Sequence, residues 1–114
     1  MKILAVDDEP YVLDLIEVIL KMDGHELTLA RNGREGLQMF KAGMFDIVIT
    51  DLNMPEVSGV EMAKSIKDID PKVKILLMSG DGEQDCGHPA GIDLVLSKPL
   101  RINSLKDVLA KLAP

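Results

Sequence analysis

The stretch that decides the fold is DIVITDLNMP, residues 46–55. It opens with a run of mainly apolar, β-branched residues, which is typical of a strand that is covered on both faces of a parallel sheet. The run ends at Asp51, and a loop-forming Asn-Met-Pro segment follows it. Ligands of open α/β sheets bind beyond the carboxyl ends of the strands. Residues 46–55 therefore predict a buried parallel strand with a functional side chain at its end.

Similar apolar runs lie on both sides of this stretch, and segments with helical periodicity separate them. Strands are predicted at residues 2–6, 26–30, 46–50, 73–78 and 92–96. Helices are predicted at residues 10–22, 32–41, 58–68 and 103–112. This alternation predicts an α/β fold, a flavodoxin-like, doubly wound sheet of five parallel strands in the order 2-1-3-4-5. The second strand alternates in polarity, so we expect it at an edge.

The segment between the fourth and fifth predicted strands departs from this regular pattern. Residues 80–91 contain four glycines and one proline. A parallel crossover with its helix needs at least about 10–12 residues, and glycine and proline are both poor in helix interiors. We therefore expect a truncated or irregular fourth helix at this point of the chain.

Length and charge narrow the possible classes of protein. The chain has 114 residues, of which 46% are hydrophobic, and this suits one compact domain over residues 1–114. A net charge of −6 argues against direct nucleic-acid binding, which needs a basic surface. One cysteine excludes an intrachain disulfide and fits a reducing, cytoplasmic location. No apolar run is long enough for a signal peptide or a membrane span, so we expect no membrane association.

Polar side chains follow four of the five predicted strands. Asp7 and Asp8 follow the first strand, Asp51 the third, Ser79 the fourth and Lys98 the fifth. Carboxylates about 4 Å apart repel by about 4 kcal/mol at an effective dielectric of 20. Protonation, a lysine or a hard divalent cation such as Mg²⁺, Mn²⁺ or Ca²⁺ could relieve this repulsion. Carboxylates, a hydroxyl and an ammonium together suit a phosphoryl group, with an aspartate as nucleophile.

Taken together, these motifs resemble those of the receiver domains of two-component response regulators, the family of the stand-alone chemotaxis regulator. The matching elements are Asp7-Asp8, residues 49–55 with Gly59 after them, Ser79-Gly80 and Lys98-Pro99. The resemblance covers nearly the whole chain. It implies a bacterial signalling module that is switched by phosphorylation and is not an enzyme beyond its own phosphorylation and dephosphorylation.

The resemblance also implies roles for the residues around the phosphoryl group. Asp51 would accept this group from a histidine kinase, and Lys98 would pair with its oxygens. Ser79 would move to hydrogen-bond the phosphoryl group, which is the switching step. Gly80 would leave room for the phosphodonor, and a cis bond before Pro99 would aim the lysine inward.

A metal site and several partners follow from the same resemblance. The ion would be Mg²⁺, with Mn²⁺ as an alternative. Its ligands would be Asp7, directly or through water, Asp8, Asp51 and the backbone carbonyl of Asn53. Asp81 and Asn53 would tune the lifetime of the phosphorylated state, in a direction that the sequence does not give. The partners would be a sensor histidine kinase or phosphotransfer protein and an unidentified output partner, and a homodimer is compatible with the family.

Two departures from the family pattern concern the switch. Relatives usually carry Tyr or Phe three residues before the conserved lysine, where this chain has Val95. That aromatic side chain turns inward on switching, so we expect the coupling here to be different or weaker. The helix expected to be truncated within residues 80–91 borders the surface that partners and dimers use in the family. We therefore expect output contacts on other surfaces, such as the first or last helix.

Other functions stay open on the sequence alone. A receiver-like interaction module that works without phosphorylation is favoured by Val95 and the short segment, but opposed by the intact acidic residues and lysine. A phosphohydrolase with an aspartyl nucleophile would need a second aspartate where Asn53 stands, and the chain leaves little room for a substrate cap. A flavin-binding protein is disfavoured because the acidic first strand–helix turn would repel a flavin phosphate.

Overall fold

The computed structural model describes residues 1–52, 57–79, 91–97 and 101–112. The strands are β1 (Lys2–Val6), β2 (Glu26–Ala30), β3 (Ile47–Asp51), β4 (Lys74–Ser79) and β5 (Leu94–Ser97). The helices are α1 (Pro10–Met22), α2 (Gly33–Met39), α3 (Gly59–Ile69) and α4 (Ile102–Leu112). The segment in which we expect a truncated helix, residues 80–91, lies outside the described residues except for Gly91. None of the helices in the described ranges is long and apolar enough to cross a membrane.

The five strands form one parallel sheet in the order β2-β1-β3-β4-β5, which confirms the predicted topology. The strand ends are level with one another. Val6 lies beside both Ala30 and Thr50, and Asp51 lies beside Met78. Because strand order reverses between β1 and β3, the helices that follow them, α1 and α3, lie on opposite faces of the sheet, and the ends of these two strands border the switch point.

Each face of the sheet carries its own apolar cluster. Helices α1 and α4 cover the face that includes Ile3 and Ile47, and α2 and α3 cover the face that includes Leu4 and Val48. Strands β1, β3 and β4 are therefore buried on both sides, as their apolar sequences predict. The apolar sequence of β5 predicts equal coverage, but residues 94–96 are only half-buried because β5 is an edge strand.

The helix ends follow recognisable local signals. Pro10 occupies the start of α1, where its missing N–H costs no hydrogen bond. Gly24 follows the end of α1 with φ +77°, a conformation that favours glycine. The side-chain oxygens of Asn32 and Ser58 accept backbone N–H bonds of 2.8 and 3.2 Å, which cap α2 and α3. Each cap satisfies a backbone N–H that would have no partner within its helix.

Candidate acidic cation site

Four carboxylates meet at the carboxyl end of the sheet, where the strand order reverses. Asp7, Asp8 and Glu9 follow β1, and Asp51 is the last residue of β3. One carboxylate oxygen from each lies within 4.8 Å of the others. Asp7 is fully buried and Asp51 is 4% exposed, whereas Glu9 is half-buried and Asp8 is exposed. We call this group the acidic cluster; it has a buried floor and an open side.

The backbone around Asp7 fixes the first part of the cluster. The Asp7 N–H donates to the carbonyl of Ala30 at 3.2 Å, which extends the β1–β2 ladder by one residue. Its Oδ1 accepts the backbone N–H of Glu9 at 2.9 Å, and this bond turns the chain toward α1. The side chain of Glu9 is held in turn, because its Oε2 accepts a hydrogen bond from the Tyr11 hydroxyl. The cluster is therefore built into the strand–helix turn.

The second part of the cluster depends on tight packing around the backbone of Asp51. The N–H of the next residue, Leu52, donates to the carbonyl of Met78 at 2.8 Å, so the β3–β4 ladder continues past the carboxylate. Gly59, the first residue of α3, lies directly against this strand end. A Cβ at that position would be 2.1 Å from the carbonyl oxygen of Asp51, far inside van der Waals contact. Only glycine allows α3 to approach Asp51 in this way.

The donor set determines what the cluster can bind. Two unit charges about 5 Å apart repel by about 3 kcal/mol at an effective dielectric of 20, and four carboxylates multiply this repulsion. All of the donors are hard oxygens, which Mg²⁺ and Mn²⁺ prefer over nitrogen or sulfur. The residues present therefore fit a divalent cation. Glu9 was not among the predicted ligands, although the run of three acidic residues after the first strand was a signal for it.

The family of the chain follows from a sequence comparison. A sequence model of the response regulator receiver domain matches residues 3–110. The chain belongs to the response regulator receiver domain family. It is thus a receiver domain of two-component signalling, a class of signalling modules rather than classical enzymes.

Individual relatives of this receiver domain differ in length. The chemotaxis protein CheY of Thermotoga maritima is 32% identical over 116 residues, with 98% of this chain and 97% of the relative covered. The transcriptional regulatory protein ZraR of Klebsiella oxytoca is 31% identical over 112 residues, which cover 96% of this chain but 25% of the relative. The crystal structure of TrrA from Thermotoga maritima in complex with Mg²⁺–BeF has a TM-score of 0.86 at 33% identity, with 97% of both chains covered.

Only some of the other predicted site residues of the receiver domain lie within the described ranges. Ser79 ends β4, is half-buried and pairs in register with Ser97, the residue before Lys98. Val95 is half-buried and packs against the apolar cluster on the α2–α3 face. The structure thus brings Asp7, Asp8 and Asp51 together and places Ser79 one residue beyond the level of Asp51. The remaining predicted residues lie outside the described residues: Asn53, Gly80, Asp81, Lys98 and Pro99.

Proposed function

We propose that this receiver domain accepts a phosphoryl group on Asp51 in a Mg²⁺-dependent reaction and that phosphorylation changes its partner binding. The observation that carries the proposal is the buried Asp51 carboxylate, held within 4.8 Å of three other carboxylates at the switch point of the sheet. The related TrrA structure, a complex with Mg²⁺–BeF, supports the same chemistry for this site.

The proposed metal ligands are those predicted from the sequence. Asp7, Asp8, Asp51 and the backbone carbonyl of Asn53 would hold Mg²⁺, or Mn²⁺ in its place. Glu9 is an additional candidate because its carboxylate belongs to the same cluster. When bound, the cation relieves the repulsion among the carboxylates and neutralises phosphoryl oxygens.

Phosphoryl transfer would use Asp51 as the nucleophile. One of its carboxylate oxygens forms a bond to phosphorus while the bond from phosphorus to the imidazole nitrogen of a phosphohistidine donor breaks. The electron pair of the broken bond stays on that nitrogen, and the ring leaves as a neutral imidazole because its other nitrogen already carries a proton. The donor would be a sensor histidine kinase or a phosphotransfer protein. The cluster positions Asp51 for this step because β3, β4 and Gly59 fix its backbone.

Residues on the other side of Asp51 would bind the product. Lys98 would pair with the phosphoryl oxygens, oriented by Pro99, and Ser79 would hydrogen-bond the same group. Gly80 would leave space for the donor, and Asp81 would tune the lifetime of the phosphorylated state together with Asn53. The half-buried Val95 carries no polar group or ring, so the change at Ser79 would reach the surface without an aromatic rotation.

The setting of this reaction is also part of the proposal. The receiver unit would extend over residues 1–114, slightly beyond the family match at 3–110. It would act in the cytoplasm, without binding nucleic acid or a membrane itself. Its output partner would be a separate protein or a further domain.

Phosphorylation by a small donor tests the proposal without knowledge of the kinase. The protein is incubated with acetyl phosphate and Mg²⁺ and analysed by intact mass spectrometry. We expect the wild type to gain one phosphoryl group and Asp51→Asn to gain none. Asp46→Asn is the matched control, because Asp46 lies just before the opposite end of the same strand, and this variant should react like the wild type.

Other outcomes of this experiment would contradict the proposal. A mass gain that persists in Asp51→Asn would place the phosphoryl group elsewhere. No gain in the wild type with any small donor, combined with partner binding that Asp51→Asn leaves intact, would favour an interaction module that works without phosphorylation. Steady turnover of a phosphate ester would instead favour the phosphohydrolase.

A further inference from the structure

The side chain of Glu9 is not used to cap the helix that it precedes. Glu9 is the N-cap residue of α1, a position at which a side-chain oxygen often accepts a backbone N–H of the first turn. Within α1, every residue of which is described, the Glu9 side chain makes no such bond. Its carboxylate lies in the acidic cluster instead, within 4.8 Å of oxygens of Asp7, Asp8 and Asp51. An interaction other than capping must therefore hold it there.

Repulsion inside the acidic cluster works against this position of Glu9. Three neighbouring carboxylates repel its charge, and a glutamate side chain has three rotatable bonds through which it could turn away. Glu9 is only half-buried, so a rotated carboxylate would reach solvent. The side chain therefore needs a restraint to stay beside the other carboxylates.

The Tyr11 hydroxyl supplies such a restraint, because it donates a hydrogen bond to Oε2 of Glu9. The backbone of Glu9 is fixed from both sides. Its N–H donates to Oδ1 of Asp7 at 2.9 Å, and its carbonyl accepts the N–H groups of Val12 and Leu13 at 3.1 and 3.3 Å. A contact at the end of the side chain then determines where the carboxylate lies. Because an ionised carboxylate has about four acceptor positions, this bond leaves room for a cation on the same group.

We propose that Glu9 is a ligand of the divalent cation and that Tyr11 is the positioning residue that holds Glu9 in place. This inference rests on the Mg²⁺ site of the proposed function and adds an outer hydrogen bond to it. Tyr11 does not contact the cation and acts through Glu9 alone. Ligating carboxylates in metal sites are themselves hydrogen-bonded, and such partners set the affinity for the metal. A ligand that is already oriented also loses less conformational entropy on binding.

Tyr11 gives this site a spectroscopic signal of its own. It is the one tyrosine of the chain, and the sequence contains no tryptophan. Tyrosine emission therefore comes from Tyr11 alone, and a phenol is quenched when its hydroxyl donates to a carboxylate. When Glu9 shares its carboxylate with a cation, its oxygens become weaker acceptors for Tyr11. The emission should therefore rise as the site is filled.

Tyrosine fluorescence and isothermal titration calorimetry with Mg²⁺ test the proposal on the full chain. We expect the emission of the wild type to rise with Mg²⁺, with the midpoint that calorimetry gives. Tyr11→Phe keeps the ring and should raise the Mg²⁺ dissociation constant by about fivefold, because one hydrogen bond is lost. Glu9→Gln should raise it by about tenfold. Tyr11 is 69% exposed, so Tyr11→Phe should keep the wild-type urea midpoint in EDTA.

A double variant separates positioning from a general structural effect. If Tyr11 acts only through Glu9, Tyr11→Phe should change the Mg²⁺ affinity by less than about twofold in the Glu9→Gln background. Glu17→Gln is the matched control, because it makes the same chemical change on the same helix, where Glu17 pairs with Lys21 at 3.3 Å. Glu17 lies about 12 Å further along the helix axis, beyond a Debye length of about 10 Å. This variant should bind Mg²⁺ like the wild type.

Three results would overturn the proposal: unchanged Mg²⁺ affinity in Tyr11→Phe, equal losses from this change with and without Glu9, or constant emission while calorimetry shows binding. Asp51→Asn distinguishes this inference from the proposed function. Weaker binding in Asp51→Asn, with wild-type binding in Glu9→Gln and Tyr11→Phe, would remove the inference and leave the proposed function standing. A wild type that binds no Mg²⁺ would refute both.

Discussion

The two ends of the same sheet use carboxylates in opposite ways. At the carboxyl end, Asp7, Asp8, Glu9 and Asp51 crowd together within 4.8 Å. At the amino end, Asp46, Asp70 and Asp93 are spread out, and each of these three accepts at least one hydrogen bond from a backbone N–H group. The comparison separates carboxylates that stabilise the fold from those that are available for chemistry, although the residue types are the same.

At the amino end, the carboxylates complete the edges of strands and loops. Asp46 accepts the N–H of Lys2 at 2.9 Å, and Asp70 accepts the N–H groups of Gly43 and Lys72 at 3.0 and 3.1 Å. A groove of about 850 Å³ lies between these segments, with lysines among its lining residues. The acidic groups here are distributed among donors, so they do not create a concentrated negative field.

Asp93, the residue just before β5, also accepts a hydrogen bond from a backbone N–H group. Its Oδ2 accepts the N–H of Ile75 at 2.7 Å and pairs with Lys67 of α3 at 3.1 Å. One carboxylate therefore links β4, α3 and the segment before β5. Asp46, Asp70 and Asp93 hold backbone donors and lie apart from one another, which stabilises the fold. Asp7 and Glu9 also accept hydrogen bonds, but they face two further carboxylates, and a cation can relieve the resulting repulsion.

The largest expected change in stability comes from replacing a glycine at each end of the sheet. Gly59→Ala forces a methyl group against the carbonyl of Asp51, and we expect it to lower the free energy of unfolding by about 3 kcal/mol. Gly43 has a φ of +77°, but a Cβ at this position would meet no atom within 4 Å, so Gly43→Ala should cost only about 1 kcal/mol from backbone strain. Urea denaturation measures both values. Equal losses would mean that the close approach at Asp51 is not what requires glycine.

Replacing a carboxylate by an amide should change the free energy of unfolding in opposite directions at the two ends of the sheet. Without divalent cations, Asp7→Asn should raise the free energy of unfolding by about 1 kcal/mol, because it removes one charge from the acidic cluster. Asp93→Asn should lower it by about 1 kcal/mol, because the ion pair with Lys67 is lost. Urea denaturation in the presence of EDTA measures the change in the free energy of unfolding for both variants. A loss of stability in both variants would remove the distinction between the two ends.

The smallest expected effect is a pH dependence of the folding stability, and it arises from Asp70 at the amino end of the sheet. Backbone N–H groups of Gly43 and Lys72 hold the pKa of Asp70 below its ordinary value of 3.8. Because the folded-state pKa is lowered, the stabilisation is fully present above pH 3.8 and is lost as the pH falls through the folded pKa. Unfolding measured from neutral pH to below this range should therefore show a weaker acid dependence in Asp70→Asn. An unchanged dependence would show that these hydrogen bonds do not act on Asp70.

Much of the fold could be predicted from the sequence because its signals are local and strong. The bounds predicted for the first two strands and the first helix agree with the structure. Other bounds differ where tertiary contacts intervene. The periodicity predicts that the second helix reaches residue 41, but it ends at Met39 because Phe40 leaves the helix and stacks on Phe45, with ring centroids 5.7 Å apart.

The predicted third and fifth strands begin earlier than those of the structure. The third starts at Ile47, although the backbone of Asp46 still pairs with both neighbours: its N–H donates to the carbonyl of Lys2 at 2.8 Å, and its carbonyl accepts the N–H of Lys74 at 3.1 Å. The fifth starts at Leu94 because Asp93 uses its side chain and its N–H to complete the start of β4. A pattern of apolar residues does not reveal which polar side chain will replace a backbone partner.

The acidic cluster could be predicted in part, whereas the exposure of Tyr11, Val18 and Met22 on α1 could not. Asp7, Asp8 and Asp51 follow from strand ends and strand order alone. Glu9 joins them through the turn after β1, and the geometry of a turn is harder to infer from sequence. Composition favours methionine as core filler, yet Met22 is 65% exposed. Helical periodicity places apolar residues on a face, but it does not show whether any neighbour covers that face.

The acidic cluster at the carboxyl end of the sheet should bind one divalent cation. Isothermal titration calorimetry with Mg²⁺ measures this, with Asp51→Asn, at the last residue of β3, compared with Asp46→Asn, at the residue just before β3. We expect a single Mg²⁺ site in the wild type and in Asp46→Asn, and affinity weakened by at least about tenfold in Asp51→Asn. Equal Mg²⁺ affinity in all three proteins, or no binding in the wild type, would contradict it.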